Sequence, residues 1–176
     1  MKYSSFIVII TILLASCAGS QNNEKNQEDE LTKAITSLES ELFDSGPGRI
    51  DRKKAIELIN LYTEFADEFP DDAQSPEFLY KASDISMNLR RPVETIQLFD
   101  ILLTKYPDFD KTPTTLFLKA FVYEDQMQDM ERAKKYYEEF LAKYPDSEFA
   151  DDAEVSLKNL GKTPEELIKE FEENSK

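Results

Sequence analysis

The sequence predicts an all-α fold, an α-solenoid of about three stacked antiparallel helix pairs followed by a C-terminal capping helix. Prolines recur at Pro70, Pro107 and Pro145, at spacings of 37 and 38 residues. An aromatic residue precedes each of these prolines and an aspartate follows it. Apolar residues between the prolines recur at helical spacing. A period of about 20 to 50 residues is typical of stacked supersecondary units, so each period predicts one pair of helices.

The segment that ends at Pro145 shows how each second helix is expected to stop. Its apolar residues form a single stripe at helical spacing, namely Ala133, Tyr137, Phe140, Leu141 and Tyr144. Proline cannot continue a helix, and it moves the residue before it away from helical dihedral angles. Tyr144 is therefore predicted to end the helix while its ring still packs against the core.

Signals for a new helix follow each of the three prolines. Ser75-Pro76 and Thr112-Pro113 predict a hydroxyl N-cap with proline in the first helical position. Asp151-Asp152 follow Pro145, and carboxylates favour a helix N-terminus. Thr163-Pro164-Glu165-Glu166 is a capping box that predicts the last helix. The first helices of two pairs carry apolar stripes: Phe78, Ala82, Ile85 and Leu89, then Leu116, Ala120, Tyr123 and Met127.

The segment DMERAKKYYEEFLAKYP and its period resemble the tetratricopeptide repeat family. In this comparison Ala133 is the small residue that opens the second helix, Tyr137 is its aromatic residue and Pro145 is its closing proline. The resemblance extends from residue 31 to about residue 171, with Thr95 in place of the small residue in the middle copy. It implies a stack of helix pairs whose first helices line a concave surface that binds proteins.

The N-terminus predicts a lipoprotein signal peptide. Lys2 precedes an apolar run over residues 6–15 that is shorter than the ~20 residues of a membrane span. Leu14-Ala15-Ser16-Cys17 resembles the lipobox of bacterial lipoproteins, which implies cleavage before Cys17 and acylation of that cysteine. An ordinary signal peptide with an incidental cysteine, or a retained anchor, are the alternatives.

Three segments follow from this N-terminal pattern. Residues 1–16 are predicted to be the cleaved signal peptide, and residues 31–176 the helical repeat domain. Residues 17–30 are predicted to be lipidated Cys17 and a flexible tether, because the stretch AGSQNNEKNQEDE after the cysteine has no large apolar side chain to bury.

Composition excludes several classes of function. The chain has 36 acidic and 21 basic residues, a formal net charge of -15, and this repels nucleic acid and at most favours basic partners; solubility alone is the alternative explanation. The chain has no histidine and a single cysteine, so histidine-dependent triads and histidine-ligated zinc are excluded. Asp108-Phe109-Asp110 begins like a calcium loop, but Pro113 occupies the place of the turn glycine. We therefore expect no catalysis, no cofactor, no metal and no small-molecule substrate.

The resemblance also predicts the binding groove, from outward-facing positions of the first helices. In one copy these are Glu77, Tyr80, Asp84, Met87 and Asn88, and in the next they are Thr115, Leu118, Val122, Asp125 and Gln126. Aromatic, methionine and aliphatic side chains mixed with carboxylates suit an amphipathic or mildly basic partner segment. A register shift of one residue would instead place Tyr80, Leu118 or Val122 in the core.

Three hypotheses of function follow. In the first, the protein is a lipid-anchored scaffold or adaptor whose groove binds envelope proteins or peptides. In the second, it self-associates through the stripe Leu31, Ile35, Leu38 and Leu42; that stripe can instead pack on Ala55, Ile59, Tyr62 and Ala66. In the third, paired carboxylates perform hydrolysis; with 36 acidic residues, such pairs arise by chance.

The lipobox and the long repeats together resemble lipoproteins that carry such repeats on the periplasmic side of an outer membrane. Two proteins of this style are the repeat lipoprotein of the β-barrel assembly machinery and the repeat protein associated with the Tol-Pal system. The resemblance implies a location in a bacterial cell envelope. Ala18 after the cysteine favours the outer membrane, facing the periplasm.

Overall fold

The structure is a computed structural model that describes residues 15–43 and 51–174, and all regular structure in these residues is helical. The helices are α1 Ala15–Phe43, α2 Arg52–Glu68, α3 Ser75–Asn88, α4 Pro92–Lys105, α5 Thr112–Phe121, α6 Met130–Lys143, α7 Ala150–Asn159 and α8 Pro164–Asn174. A π-helical turn, Val122–Gln126, extends α5. The helices pack as the pairs α1 and α2, α3 and α4, and α5 and α6, and α7 packs on α6. This confirms the predicted all-α solenoid.

One continuous core runs through the stack. Leu31, Ile35 and Leu42 of α1 are buried in this core together with Ala55, Ile59, Tyr62 and Ala66 of α2. The apolar stripe of α1 is thus covered within a single chain, as expected for the first helix of the stack.

The turn around each repeated proline has the same backbone in the three copies. The N–H groups of Phe69, Tyr106 and Tyr144 donate to the carbonyl four residues earlier, at 2.8, 3.0 and 2.8 Å. Each of the three residues then leaves the helix, with φ between -124° and -133° and ψ between 56° and 60°. These dihedral angles are the expected effect of a following proline.

The predicted hydroxyl N-caps at Ser75 and Thr112 are wrong. Both residues lie inside the first turn of their helices, and their hydroxyls donate backwards, Ser75 to the carbonyl of Phe69 at 2.5 Å and Thr112 to that of Tyr106 at 3.2 Å. The reason is that the last carbonyls of a helix lack helical partners, and here a nearby hydroxyl supplies one. Ala150 occupies the same place in the third copy and has no hydroxyl to donate.

The π-helical turn explains why the two repeat spacings differ by one residue. Ser75 and Thr112, which begin two successive first helices, lie 37 residues apart. Arg90 and Gln128, the left-handed residues after these helices with φ of 53° and 54°, lie 38 residues apart. The extra residue therefore enters between Thr112 and Gln128, where the π-helical turn accommodates it.

α7 ends the stack because its outer face is polar. Leu79 of α3 and Leu116 of α5 are buried where each helix meets the next repeat. Glu154 holds the same place in α7 and is exposed. A second set of equivalent positions follows this pattern, with Ser83 and Ala120 buried and Lys158 exposed. A polar outer face is what a terminal repeat requires.

α8 follows α7, the helix that ends the stack, and none of the described side chains of α8 is buried. The predicted capping box is present, because the Thr163 N–H donates to Glu166 Oε2 at 2.8 Å and the Glu166 N–H donates to Thr163 Oγ1 at 3.3 Å. Glu170 accepts from Lys162 at 2.5 Å and lies 3.5 Å from Lys158. Among the described side chains, ion pairs thus connect α8 to the rest of the chain.

α1 begins upstream of the repeat domain, so the backbone over residues 18–30 is helical where a flexible tether is predicted. Extending an existing helix costs less than starting one, and the buried part of α1 supplies the start. In this segment Gln27 donates to Glu68 Oε2 at 3.3 Å. The predicted signal peptide lies almost wholly outside the described residues, and the boundaries at residues 16 and 30 stay predictions. None of the described helices combines the length and apolarity of a membrane span.

Candidate functional site

We call the exposed side of the first helices α1, α3, α5 and α7 the groove face. On α3 this face carries Asp84 and Asn88, which are exposed, and Met87, which is half-buried. The Asn88 amide donates to the Asp84 carbonyl at 2.8 Å and to its carboxylate at 3.3 Å. The structure thus places these three predicted groove residues at the surface.

The predicted groove residues of α5 are displaced by one position. Val122 and Thr115 are fully buried and cannot line a groove, whereas Phe121 is 39% exposed. The buried positions of α5 follow those of α3 at 37 residues, and the extra residue of this repeat enters only at the π-helical turn. The predicted groove residues of α5 follow those of α3 at 38 residues along the whole helix. They therefore lie on the wrong face of α5. Leu118 is half-buried beside this face and Asp125 is exposed.

Tyr80 is covered by the loop that precedes α5. The Lys111 ammonium lies 4.9 Å from the centre of the Tyr80 ring, and the Phe109 ring packs edge-on at 6.2 Å. Lys111 also pairs with Glu77 at 2.7 Å. Burial and the Asp84 charge raise the pKa of Tyr80. Tyr80 therefore joins two repeats instead of presenting a free ring to a partner.

Side chains also bridge α3 and α5 at their C-terminal ends. Gln126 donates to the Met87 carbonyl at 3.1 Å, and Asp125 lies 3.4 Å from Arg90. These contacts connect the C-terminal ends of α3 and α5 across the groove face.

An open cleft of about 540 Å³ lies between α1 and α3. Tyr62 of α2 is fully buried and forms its floor, and Phe43 at the end of α1 is 57% exposed at its rim. The lining residues are Thr36, Glu39, Ser40, Phe43, Tyr62, Lys81, Asp84 and Ile85. We call this space the first cleft.

Two of the charged side chains that line the first cleft, Glu39 and Lys81, form an ion pair. Glu39 accepts hydrogen bonds from the Tyr62 hydroxyl at 2.5 Å and from the Lys81 ammonium at 2.8 Å. Burial raises the pKa of Glu39, but the hydrogen bonds from Lys81 and Tyr62 outweigh that effect and hold it below its usual range. Burial and the bond to Glu39 raise the pKa of Tyr62. Asp84 at the rim accepts from Asn88 and has no cationic partner among the described residues.

A second cleft of about 450 Å³ opens between the π-helical turn, α7 and α8. Tyr137 of α6 is fully buried, and its hydroxyl donates to Glu124 at 2.7 Å. Burial raises the pKa of Tyr137, and the bond to Glu124 adds to that rise. The lining residues are Phe121, Glu124, Asp125, Gln128, Met130, Ser156, Asn159, Gly161, Lys162 and Leu167. We call this space the second cleft.

No sequence pattern marks three prominent residues of these clefts. Phe43 directly follows buried Leu42 at the end of α1, so its pattern does not mark it as exposed, and Lys81 follows Tyr80 without any motif. Phe121 is apolar and next to buried Ala120, so its pattern favours the core. Within the described segments, no group of three or more acidic or cysteine residues is placed to hold a metal ion.

The stacked helix pairs define a tetratricopeptide-like repeat protein, and the tetratricopeptide repeat family profile matches residues 114–147. The chain is also similar to the outer membrane protein assembly factor BamD of Caulobacter vibrioides, with 24% identity over 157 residues. The match covers 85% of this chain and 50% of that relative, so the chain spans about half the length of the curated relative it matches. Both findings confirm the predicted resemblance to tetratricopeptide repeat proteins of outer-membrane assembly.

Proposed function

We propose that this protein is a lipid-anchored scaffold that faces the periplasm and binds partner proteins or peptides through the groove face. The observation that carries this proposal is the pair of open clefts on that face. Each cleft presents a partly exposed phenylalanine, Phe43 or Phe121, beside an exposed carboxylate. Apolar side chains rimmed by polar groups are characteristic of protein-binding surfaces.

The similarity to an outer membrane protein assembly factor supports a role in outer-membrane assembly or envelope maintenance. Stacked helix pairs create extended surfaces that suit this kind of work. The strongly acidic composition favours basic or amphipathic partners and disfavours nucleic acid. The partner is accordingly an envelope protein or peptide, and the scaffold performs no catalysis itself.

The proposed anchor is the acylated Cys17. Two or more acyl chains hold a protein durably on a membrane, whereas a single chain is marginal. A Cys17→Ala variant is expected to lose incorporation of radiolabelled palmitate and to leave the outer-membrane fraction. Retention of both by the variant would exclude lipid anchoring at this position.

No observation favours the two alternatives. The stripe proposed for self-association is buried inside the single chain at Leu31, Ile35 and Leu42. An acidic-residue hydrolase would need a carboxylate with a raised pKa to act as the acid, and Glu39 has a lowered pKa instead.

Site-specific photo-crosslinking in cells tests the proposed surface. A photoreactive residue at Asp84 or Asp125 should capture the same envelope protein, identified by mass spectrometry. The matched control is Val93 of α4, which is 62% exposed and lines neither cleft. Capture of that protein from all three positions alike, or of only lipid and other copies of this chain, would overturn the proposal.

A further inference from the structure

The sequence of α8 resembles that of a second helix in this repeat. In the second helices, an aromatic residue follows a small residue by four positions, namely Thr95 and Phe99 in α4 and Ala133 and Tyr137 in α6. Counted from the first residue of each helix, Leu167 and Phe171 hold these two places in α8. α7 and α8 therefore follow each other in the chain as a first and a second helix do.

α8 does not pack as a second helix. Thr95 and Ala133 are fully buried, and the Thr95 hydroxyl donates to Ser86 of the neighbouring first helix at 3.0 Å. Leu167 is only half-buried in the same place, and none of the described side chains of α8 belongs to the core. α8 is accordingly not packed along α7 in the way that α4 is packed along α3.

Two local features explain why α8 is displaced. The distance between packed helices depends on the side chains at their contact, and leucine overfills a contact built around threonine or alanine. The connection is also longer. One residue separates left-handed Arg90 or Gln128 from the next helix, whereas two residues, Lys162 and Thr163, separate left-handed Gly161 from α8.

The side of α7 that should face a second helix is consequently left partly open. Lys119 of α5 marks this side, because its ammonium lies 4.0 Å from the centre of the Tyr136 ring of α6. Counted from the first residue of each helix, Leu157 holds the place of Lys119 and of Ala82. Ala82 and Lys119 are buried, whereas Leu157 is half-buried. We call this side of α7, marked by Leu157, the terminal site.

The charges around the terminal site determine which occupant suits it. α7 carries three acidic residues and one lysine, and α8 carries five acidic residues and one lysine. A second copy of the chain would bring the same acidic helices and be repelled, whereas a helix with a basic polar side is attracted. Exposed Glu154 and Lys158 on the outer face of α7 also disfavour the stacking of a further repeat.

We propose that a helix of a partner protein packs against α7 at the terminal site and completes the fourth helix pair. Its apolar stripe carries a small residue and, four positions later, an aromatic residue, as the stripes of α4 and α6 do. Its polar side is basic. The terminal site lies on the second-helix side of α7 and not on the groove face, so this inference goes beyond the proposed function.

A peptide with the sequence of α6 is the probe for this site. Residues 129–145 contain Ala133 and Tyr137, and replacing Glu138 and Glu139 with lysine makes the polar side basic. The fluorescently labelled peptide is titrated with the purified full chain. A matched peptide that also carries Ala133→Leu should bind at least about tenfold more weakly, because the larger side chain overfills the contact. Equal affinities of the two peptides would overturn the inference.

A closed variant of the chain tests the site itself. Deletion of Lys162 together with Leu167→Ala gives α8 the connection and the small residue of a second helix, so α8 should fill the terminal site. The melting temperature should rise by at least about 3 °C, and the affinity for the peptide should fall at least about tenfold. The matched control is Ile168→Ala, which is 61% exposed and should change the affinity by less than about twofold. A closed variant that binds the peptide as tightly as the native chain would contradict the inference.

Hydrogen exchange locates the bound peptide. The peptide should slow exchange of the amides of α7, whereas those of α3, which already has its second helix, should be unaffected. Protection confined to the groove face of α1, α3 and α5 would assign the peptide to that face and reject the terminal site. The proposed function is rejected separately, by the absence of specific capture from Asp84 and Asp125 in cells.

Discussion

Tyr62 donates its hydroxyl hydrogen to the carboxylate of Glu39 at 2.5 Å, from a ring that is fully buried in the stack. The bond joins the second helix of the first pair to its first helix and forms the floor of the first cleft. Tyr137 and Glu124 form the same bond two repeats later, at 2.7 Å.

Removal of either hydroxyl should destabilise the fold. Hydrogen bonds to charged groups contribute about 1.5–3 kcal/mol, so Tyr62→Phe and Tyr137→Phe should each lower the free energy of unfolding by about 1–3 kcal/mol. Urea unfolding measures this change. The matched control is Phe99→Tyr, which adds a hydroxyl where no glutamate corresponds to Glu39; it should also destabilise, because the new group is buried without this partner. A neutral Tyr62→Phe together with a neutral Phe99→Tyr would contradict this explanation of the floor.

Low pH should destabilise the pair of helices α1 and α2 through protonation of Glu39. Its pKa is lowered in the folded state because the bonds from Lys81 and Tyr62 outweigh burial. The folded state therefore binds this proton less tightly than the unfolded chain, where a glutamate pKa is about 4.3. The contribution of Glu39 is present above that pH and is lost as the pH falls through the folded pKa. Melting temperatures between about pH 5 and 3 should fall less steeply for Glu39→Gln than for the native chain; parallel curves would exclude this role.

Removing the charge of Lys119 should reduce stability less than removing its partner, Asp100. Its side chain is 6% exposed, its ammonium lies 2.5 Å from Asp100 and 4.0 Å from the centre of the Tyr136 ring, and Asp100 is 55% exposed. Burial lowers the pKa of Lys119, but the bonds to Asp100 and Tyr136 outweigh it and raise the net value. Asp100→Ala leaves a buried ammonium without its carboxylate and should cost about 1–3 kcal/mol. Lys119→Met keeps the volume and should change stability by less than about 1 kcal/mol. A larger loss in Lys119→Met than in Asp100→Ala would reverse this ranking.

Three residues at helix ends have left-handed backbone dihedral angles. Replacing glycine there should lower the stability of the fold, and introducing glycine should raise it. Gly161 has φ of 76° and no atom lies within 4 Å of an added Cβ, so Gly161→Ala should cost about 1 kcal/mol through the backbone alone. Arg90→Gly should gain about 0.5–1 kcal/mol, because its ion pair with Asp125 is exposed and contributes little. Gln128→Gly should gain less, because its amide donates to two carbonyls at 2.9 and 3.0 Å. Thermal unfolding of the three variants measures the order of their stabilities. A gain in stability for Gly161→Ala would refute the argument.

Local rules were enough to predict the repeat and the ends of its helices. Proline removes a donor and restricts its neighbour wherever it occurs, so Phe69, Tyr106 and Tyr144 could be assigned as helix ends from sequence. The capping box at Thr163 is likewise a short-range pattern. The all-α stack followed from these rules together with the apolar stripes.

The face of α5 could not be predicted, because it depends on where one extra residue enters. Pro107 and Pro145 give the length of the repeat, but they do not locate the insertion. The structure places the extra residue at the π-helical turn that begins at Val122. Val122 is buried, and Phe121 just before the turn is exposed. The bond from Tyr62 to Glu39 joins residues 23 positions apart, and no local pattern marks it.

The most direct test of the groove face uses the partner that crosslinking identifies, as purified protein. Its dissociation constant is measured with the native chain, with a variant that carries both Phe43→Ser and Phe121→Ser, and with Val93→Ser. The proposed function predicts a loss of at least about tenfold in the double variant and less than about twofold in Val93→Ser. Unchanged affinity in the double variant, or an equal loss in Val93→Ser, would show that the partner binds elsewhere.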